Sequence, residues 1–122
     1  MIKKSVLIIE DEKDILDLYK EYLTSVGFEV DTASDGEEGL KKIVGGKSAL
    51  VLLDIMMPKL DGIGVLQSIK EQESKLPTTI MLTNLSHDQA LKDAINLGAK
   101  DFIIKSETTP DQVVEKINKY LK

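Results

Sequence analysis

Five short apolar runs alternate with five segments of helical periodicity along this chain. Strands joined by helices pair in parallel, because a parallel connection has to cross the sheet and commonly does so as a helix. The predicted strands are Ser5–Ile9, Glu29–Ala33 and residues 49–53, 78–82 and 102–104. The alternation therefore predicts an α/β fold, a five-stranded parallel sheet with five helices on both faces. The second strand is the most polar, which predicts an edge position.

Capping residues and glycines mark the ends of the predicted helices. These signals are Gly27 after the first helix, Asp35 and Gly45 with Gly46 around the second, Asp61 with Gly62 before the third, Ser86 with Gln89 and then Gly98 around the fourth, and Thr109, Pro110 and Gln112 before the fifth. Helical spacing places apolar faces at Ile15, Leu18, Tyr19, Tyr22, Leu23 and Val26, at Leu40, Ile43 and Val44, at Ile63, Leu66 and Ile69, and at Val113, Val114, Ile117, Tyr120 and Leu121. The single histidine, His87, is expected to be solvated.

Four of the five predicted strands are followed by residues suited to phosphoryl chemistry. Glu10 and Asp11 follow the first strand, Asp54 the third, Thr83 the fourth and Lys105 the fifth. Ligands of open parallel sheets bind just beyond the carboxyl ends of the strands. The sequence therefore predicts that these acids, this hydroxyl and this ammonium meet in one crevice.

Three carboxylates in one crevice repel one another unless a cation neutralises them. Magnesium fits, because it prefers oxygen ligands and leaves positions for water and phosphate oxygens. Lys105 supplies a second positive charge, and it can pair with Asp54 when no phosphoryl group is present. A carboxylate nucleophile beside Mg²⁺, an ammonium and a hydroxyl favours phosphoryl transfer onto Asp54.

Length and composition fit a single domain covering residues 1–122. The chain has no cysteine, which excludes disulfides and thiolate zinc sites. Its net charge is −5 and all 16 basic residues are lysines, which disfavours direct binding to nucleic acid. The first apolar run is too short for a signal peptide or a membrane span, so we expect a cytoplasmic protein with no membrane partner.

The chain has the motif DIMMPKLDG at residues 54–62, with Glu10 and Asp11 upstream and Thr83 and Lys105 downstream. Through these residues the chain resembles the receiver domain of bacterial two-component response regulators, as in chemotaxis regulators. The resemblance covers essentially the whole chain. It implies the flavodoxin-like strand order 2-1-3-4-5, with the crevice between the first and third strands. It also implies a phosphoacceptor signalling domain that catalyses its own phosphorylation and dephosphorylation and turns over no metabolite.

Carried over residue by residue, the resemblance implies that Asp54 accepts a phosphoryl group from the phosphohistidine of a sensor kinase or phosphotransfer protein. It implies that Glu10, Asp11, Asp54 and the backbone carbonyl of Met56 hold Mg²⁺, with Mn²⁺ able to substitute. Lys105 and Thr83 would then contact the phosphoryl oxygens. Thr83 and Phe102 would switch an output face made of helix four, strand five and helix five, which an output domain, a separate protein or a second copy of the chain would bind.

Two residues depart from the family pattern, Asn84 where a small residue is usual and Ser106 where proline is usual. Asn84 would alter the lifetime of the phosphorylated state. Ser106 predicts a trans peptide bond and a looser loop, because a cis bond before serine costs about 3 kcal/mol.

Simpler interpretations of the same residues stay open at this point. Glu10 and Asp11 could cap the first helix, Asp54 could serve only as a partner of Lys105, and Phe102 would by composition belong to the core. Three other functions also remain. They are an interaction module that signals without phosphorylation, a magnesium phosphohydrolase with Asp54 as nucleophile, and a flavin carrier. Met56 stands where the phosphohydrolase needs a second acid, and the acidic loop after strand one does not suit a flavin phosphate.

Overall fold

A computed structural model of the chain describes residues 4–84 and 88–121. It contains one sheet of five parallel strands with five α-helices and one turn of 3-10 helix. In chain order these are β1 (Ser5–Ile9), α1 (Lys13–Ser25), β2 (Glu29–Ala33), α2 (Gly36–Val44), β3 (Leu50–Asp54), α3 (Gly62–Glu71), β4 (Thr78–Thr83), α4 (Asp88–Asn96), β5 (Asp101–Ile104), a 3-10 turn (Lys105–Glu107) and α5 (Pro110–Tyr120). The strand order is β2-β1-β3-β4-β5, as predicted. The polar strand β2 lies at one edge and β5 at the other.

The register of the strands brings their carboxyl ends to one edge of the sheet. Ile9 lies beside Leu53, and Thr83 lies beside Ile104. The chain moves outward from β1 to β2 and then crosses back to β3, so the order reverses beside β1. This reversal opens a crevice at the ends of β1 and β3, where ligands of such sheets bind.

Helices cover both faces of the sheet and divide the core into two layers. Val6 and Ile8 of β1 pack with α1 and α5, whereas Leu7 and Ile9 pack with the layer under α2, α3 and α4. Every residue of β3 is buried, because this central strand has a helical layer on each side. The central strands are thereby fixed, which holds the residues at their carboxyl ends in place.

Several predicted caps are confirmed. Asp35 accepts a hydrogen bond from the N–H of Glu38 at 2.8 Å, and Asp61 accepts one from the N–H of Gly64 at 2.7 Å. At α5 the N–H of Thr109 donates to the side chain of Gln112, and Pro110 is the first helical residue. The predicted cap Ser86 and the surface residue His87 lie outside the described residues.

The predicted inner faces of two helices need correction. In α1, Leu18 and Val26 are exposed, and the buried positions are Leu16, Tyr19 and Leu23. In α2, Val44 is 48% exposed, although it was predicted to face inward. The buried stripe of α2 instead comprises Gly36, Gly39 and Ile43 at helical spacing. The hydrophobic pattern identified Ile43 and Leu40, which pack in or against the core, but it cannot identify the two glycines.

No helix among the described residues is long and apolar enough to cross a membrane.

Asp101, the first residue of β5, links α5 to the edge of the sheet that β5 forms. Its carboxylate accepts hydrogen bonds from Lys116 Nζ at 3.2 Å, from the Tyr120 hydroxyl at 2.9 Å and from the N–H of Phe102 at 2.8 Å. Burial alone would raise the pKa of Asp101, but these hydrogen bonds outweigh it and hold the pKa below the ordinary value of 3.8.

Replacing Asp101 by asparagine is expected to lower the free energy of unfolding at pH 7 by about 1–2 kcal/mol, because a hydrogen-bonded charge is lost. A depressed carboxyl pKa stabilises the folded state above the unfolded pKa, and this contribution disappears as the pH falls through the folded pKa. Urea titrations should therefore show the two chains converging below pH 3.8. Asp93→Asn on α4 is the control and should change little at either pH. If the wild-type chain and Asp101→Asn differed in free energy of unfolding by the same amount at pH 7 and at pH 3, the stabilising role of the Asp101 carboxylate would be contradicted.

Candidate functional site

Three carboxylates meet where β1 and β3 end. Glu10 and Asp11 follow β1, and Asp54 is the last residue of β3. One carboxylate oxygen of each lies within 4.8 Å of the others. Glu10 is fully buried, Asp54 is 3% exposed, and Asp11 faces solvent. The predicted convergence of the three acids is therefore present.

Lys105 lies across this cluster. Its Nζ donates to Glu10 Oε1 at 2.7 Å and to Asp54 Oδ2 at 3.1 Å, and Glu12 Oε1 lies 3.7 Å away. The lysine side chain is only 4% exposed. Pairing with Asp54 was predicted, but the shorter contact with Glu10 was not. Glu12 was also missed, since an acid at the start of a helix is ordinarily assigned to the helix terminus.

Burial is the main reason why the pKa values of two acids in this crevice, Glu10 and Asp11, are raised. Burial raises the pKa of Glu10, and the neighbouring Asp54 raises it further, against hydrogen bonds from Lys105 and the N–H of Glu12. Burial and the contact with Glu10 also raise the pKa of Asp11. Burial would lower the pKa of Lys105, but Glu10 and Asp54 outweigh it and the pKa is raised. A divalent cation with oxygen ligands fits this set of groups.

Thr83 ends β4 next to the acids. It is 1% exposed, and its neighbour Leu82 lies beside Asp54 in the register. The next residue, Asn84, is exposed. Thr83 therefore lies at the same edge of the sheet as the acids and Lys105, as predicted.

The two departures from the family pattern contact each other. The hydroxyl of Ser106 donates to the backbone carbonyl of Asn84 at 3.4 Å. No peptide bond among the described residues is cis, so the predicted trans bond at Ser106 is confirmed. The segment after Lys105 is not a loose loop, since it forms a 3-10 turn, and the Thr108 hydroxyl donates to the carbonyl of Ile104 at 2.8 Å.

The loop between β3 and α3, residues 55–61, begins directly at the acids. The N–H of Met56 donates to Asp54 Oδ1 at 3.2 Å, and the Met56 side chain is 65% exposed. The loop closes at Gly62, where a Cβ would lie 2.4 Å from the carbonyl oxygen of Asp54. Only glycine fits this contact, which explains why Gly62 follows the cap Asp61.

Phe102 lies outside the core, so the simpler interpretation of this residue as a core aromatic is wrong. The ring is 39% exposed, and Lys116 Nζ lies 5.9 Å from its centroid. Two grooves of about 580 and 460 Å³ flank it, one along α5 and one along α4. An edge strand has a neighbouring strand on one side only, so an aromatic side chain on β5 can be left partly uncovered.

Comparison with known families decides the class of this site. The sequence model of the response regulator receiver domain matches residues 6–118. The chain belongs to the response regulator receiver family. It is therefore a receiver domain of two-component response regulators, which argues against the flavin carrier and the phosphohydrolase.

The curated relatives are longer than this chain. The chain is 39% identical over 104 residues to the alkaline phosphatase synthesis transcriptional regulatory protein PhoP of Bacillus subtilis, covering 85% of this chain and 43% of that protein. It is 44% identical over 100 residues to the probable transcriptional regulator ycf27 of Cyanidium caldarium, covering 82% of this chain and 39% of that protein. The match with this chain thus spans about two fifths of the length of these relatives.

Solved receiver structures share the fold over nearly the whole chain. A CheY-like receiver domain protein from Methanospirillum hungatei has a TM-score of 0.86 and 32% identity, covering 97% of this chain and 93% of that one. The CheX-CheY-BeF3-Mg²⁺ complex from Borrelia burgdorferi gives a TM-score of 0.87 and 35% identity, covering 99% of this chain and 91% of that one. Both similarities support the same assignment to the receiver family.

Proposed function

We propose that this receiver domain is a phosphorylation-controlled switch in which Asp54 accepts the phosphoryl group. The observation that carries the proposal is the buried Asp54 carboxylate, which lies 3.1 Å from Lys105 Nζ and shares an acidic crevice with Glu10 and Asp11. A buried carboxylate is costly unless it is paired or functional. A simple structural pair would need one acid, whereas Lys105 lies within 4.0 Å of carboxylate oxygens of Glu10, Glu12 and Asp54.

Glu10, Asp11, Asp54 and the backbone carbonyl of Met56 are the groups that would hold Mg²⁺, with Mn²⁺ able to substitute. When bound, the cation supplies positive charge for the phosphoryl oxygens as they transfer. The geometry supports this assignment, because one carboxylate oxygen of each of Glu10, Asp11 and Asp54 lies within 4.8 Å of the others. Contact with the start of α1 accounts for only one oxygen of Glu10, which accepts from the N–H of Glu12, since the other oxygen lies 2.7 Å from Lys105 Nζ.

The chain's own groups perform the transfer. A carboxylate oxygen of Asp54 attacks phosphorus, and the bond from phosphorus to the imidazole nitrogen of the donor phosphohistidine breaks. The released imidazole keeps the electron pair and takes a proton from solvent. The Lys105 ammonium exchanges its contact with Asp54 for one with the phosphoryl oxygens, and the Thr83 hydroxyl donates to another. Attack of water on the same phosphorus later releases phosphate and restores Asp54.

The output face is proposed to be the surface of α4, β5 and α5. Phe102 lies at its centre, partly exposed under Lys116, and Thr83 adjoins its strand in the register. Movement of Thr83 toward a phosphoryl group would free space for the ring to turn inward, which would couple a local charge change to this surface. The partners of the whole protein are proposed to be a sensor histidine kinase or phosphotransfer protein and an output domain or protein. A weak homodimer through the same face is a further proposed partner.

Intact-mass spectrometry after incubation with acetyl phosphate tests the function. With Mg²⁺ present, we expect a single phosphoryl adduct on the wild-type chain, and with EDTA we expect none. Light scattering on the same samples measures whether the adduct promotes dimers; an unchanged monomer would count against the dimer. If no adduct forms although the metal binds, the chain is an interaction module that signals without phosphorylation. Asn84→Ala and Ser106→Pro are then the first reversions to make.

A further inference from the structure

The loop of residues 55–61 rests on the first turn of α2. A Cβ at Gly36 would lie 1.8 Å from the carbonyl oxygen of Leu60 and 2.7 Å from its carbonyl carbon. Nonbonded carbon atoms have their optimal separation at about 3.5–4.0 Å, so the backbone of Leu60 occupies the place that any larger residue would need. The loop can approach α2 this closely only because residue 36 is glycine.

Backbone conformation does not explain this glycine. The described glycines with positive φ are Gly27, Gly46 and Gly98, and Gly36 is not among them. At an ordinary helical φ, alanine is the more favourable residue in a helix. The close contact with Leu60 is therefore the reason for glycine at this position.

Further contacts hold the loop against α2. Lys59 Nζ lies 3.5 Å from Asp35 Oδ2, and Asp35 is the residue that caps α2. The N–H of Leu60 donates to the carbonyl of Pro58 at 2.8 Å around Lys59, which has a φ of 67°. A residue with a side chain adopts this sharp turn only at a cost, and it persists where the surroundings hold it in place. The first turn of α2 provides these surroundings.

We propose that Gly36 is a positioning residue for the metal site. Because Gly36 has no side chain, the Leu60 carbonyl can lie directly against α2. This contact sets the distance between the loop and α2, and thereby the direction of the Met56 carbonyl. The inference rests on the proposed function, in which that carbonyl is a metal ligand. Mg²⁺ requires near-ideal octahedral geometry, so moving the loop by about 1 Å should weaken its binding. Groups that orient ligands without touching the metal commonly change affinity by about 10–100-fold.

Gly39 provides a matched control one turn further along α2. A Cβ there would lie 2.6 Å from Cδ1 of Ile9, a side-chain atom of the core, and has no contact with the loop among its nearest atoms. Gly36→Ala and Gly39→Ala therefore add the same methyl group to the same face of one helix. Of the two added methyl groups, only the one at position 36 has atoms of the loop that carries Met56 as its nearest neighbours.

The test measures Mn²⁺ binding by electron paramagnetic resonance, Mg²⁺ by competition, and stability by urea unfolding. We expect Gly36→Ala to weaken Mn²⁺ and Mg²⁺ binding at least tenfold, and Gly39→Ala to change it by less than about twofold for a comparable loss of stability. Equal affinities for Gly36→Ala and the wild-type chain would overturn the inference. Equal losses of metal affinity in Gly36→Ala and Gly39→Ala would also overturn it, since they would reflect a general effect of changes in α2. If the wild-type chain itself binds neither ion, the proposed function fails as well.

A second measurement needs no variant and covers the case in which Gly36→Ala does not fold. The glycine amides of the wild-type chain are followed by nuclear magnetic resonance during a Mg²⁺ titration. The Gly36 amide is expected to shift with the same midpoint as Gly62, and the Gly39 amide is expected to stay nearly unchanged. A Gly36 amide that does not respond would overturn the inference.

Discussion

Replacing Asp54 by asparagine is expected to abolish the phosphoryl adduct formed with acetyl phosphate. Asparagine keeps the size and hydrogen-bonding shape of the side chain, but its amide is not a nucleophile toward phosphorus. We expect the rate of adduct formation to fall at least about a thousandfold, as it does when a nucleophile is removed from an otherwise intact site. Intact-mass spectrometry with Mg²⁺ present measures the adduct directly.

Asp61→Asn is the matched control for Asp54→Asn. Asp61 lies at the far end of the same loop and caps α3 by accepting from the N–H of Gly64. Asparagine caps helices about as well as aspartate, so this variant should fold normally and accept the phosphoryl group at a similar rate. An adduct of undiminished yield on Asp54→Asn would place the acceptor elsewhere and contradict the proposed function.

Replacing Lys105 by methionine is expected to lower the free energy of unfolding without metal by about 3–5 kcal/mol. Removing one partner of a buried ion pair leaves the opposite charge without compensation. Here two carboxylates would be left, with side chains 0% exposed at Glu10 and 5% exposed at Asp54. Urea unfolding in EDTA measures the loss. Mg²⁺ should raise the stability of this variant more than that of the wild-type chain, because it supplies the missing positive charge.

Lys116→Met controls for the loss of a lysine as such. Lys116 also pairs with an acid, Asp101 at 3.2 Å, but its side chain is 34% exposed. A partly solvated pair contributes little, so this variant should lose less than about 1 kcal/mol and should gain nothing extra from Mg²⁺. If Lys105→Met is as stable as the wild-type chain in EDTA, the acids of the crevice do not depend on this ammonium for neutralisation.

The fold and the residues of the site could largely be predicted from local patterns. Apolar runs and capping residues are properties of neighbouring residues, so β1, β2 and the start of α5 were predicted correctly. The convergence of Glu10, Asp54 and Lys105 followed from a rule about strand ends that does not depend on side-chain detail.

The errors concern contacts between elements that are distant in sequence. On the inner face of α2, Ile43 was predicted correctly, Val44 was wrong, and Gly36 and Gly39 were missed because periodicity does not register residues without side chains. For Phe102 the interpretation from composition alone, a core position, was wrong, because its exposure depends on the position of β5 at an edge. Lys105 Nζ lies 2.7 Å from Glu10 and 3.1 Å from Asp54. Which contact is shorter depends on the relative positions of three strands, and a sequence pattern does not give these positions.

The contacts of Lys105 also bear on how the chain folds. This ammonium joins residues 95 positions apart at Glu10 and 51 positions apart at Asp54. Contacts between such distant residues carry a large loop-closure cost, and they form after local structure has assembled. We infer that the crevice is completed late, after the folding transition state, so that losing Lys105 should speed unfolding and leave the folding rate nearly unchanged in stopped-flow experiments. A partly folded chain would then have its helices and strands without the assembled crevice, and only the fully folded molecule could respond to a signal.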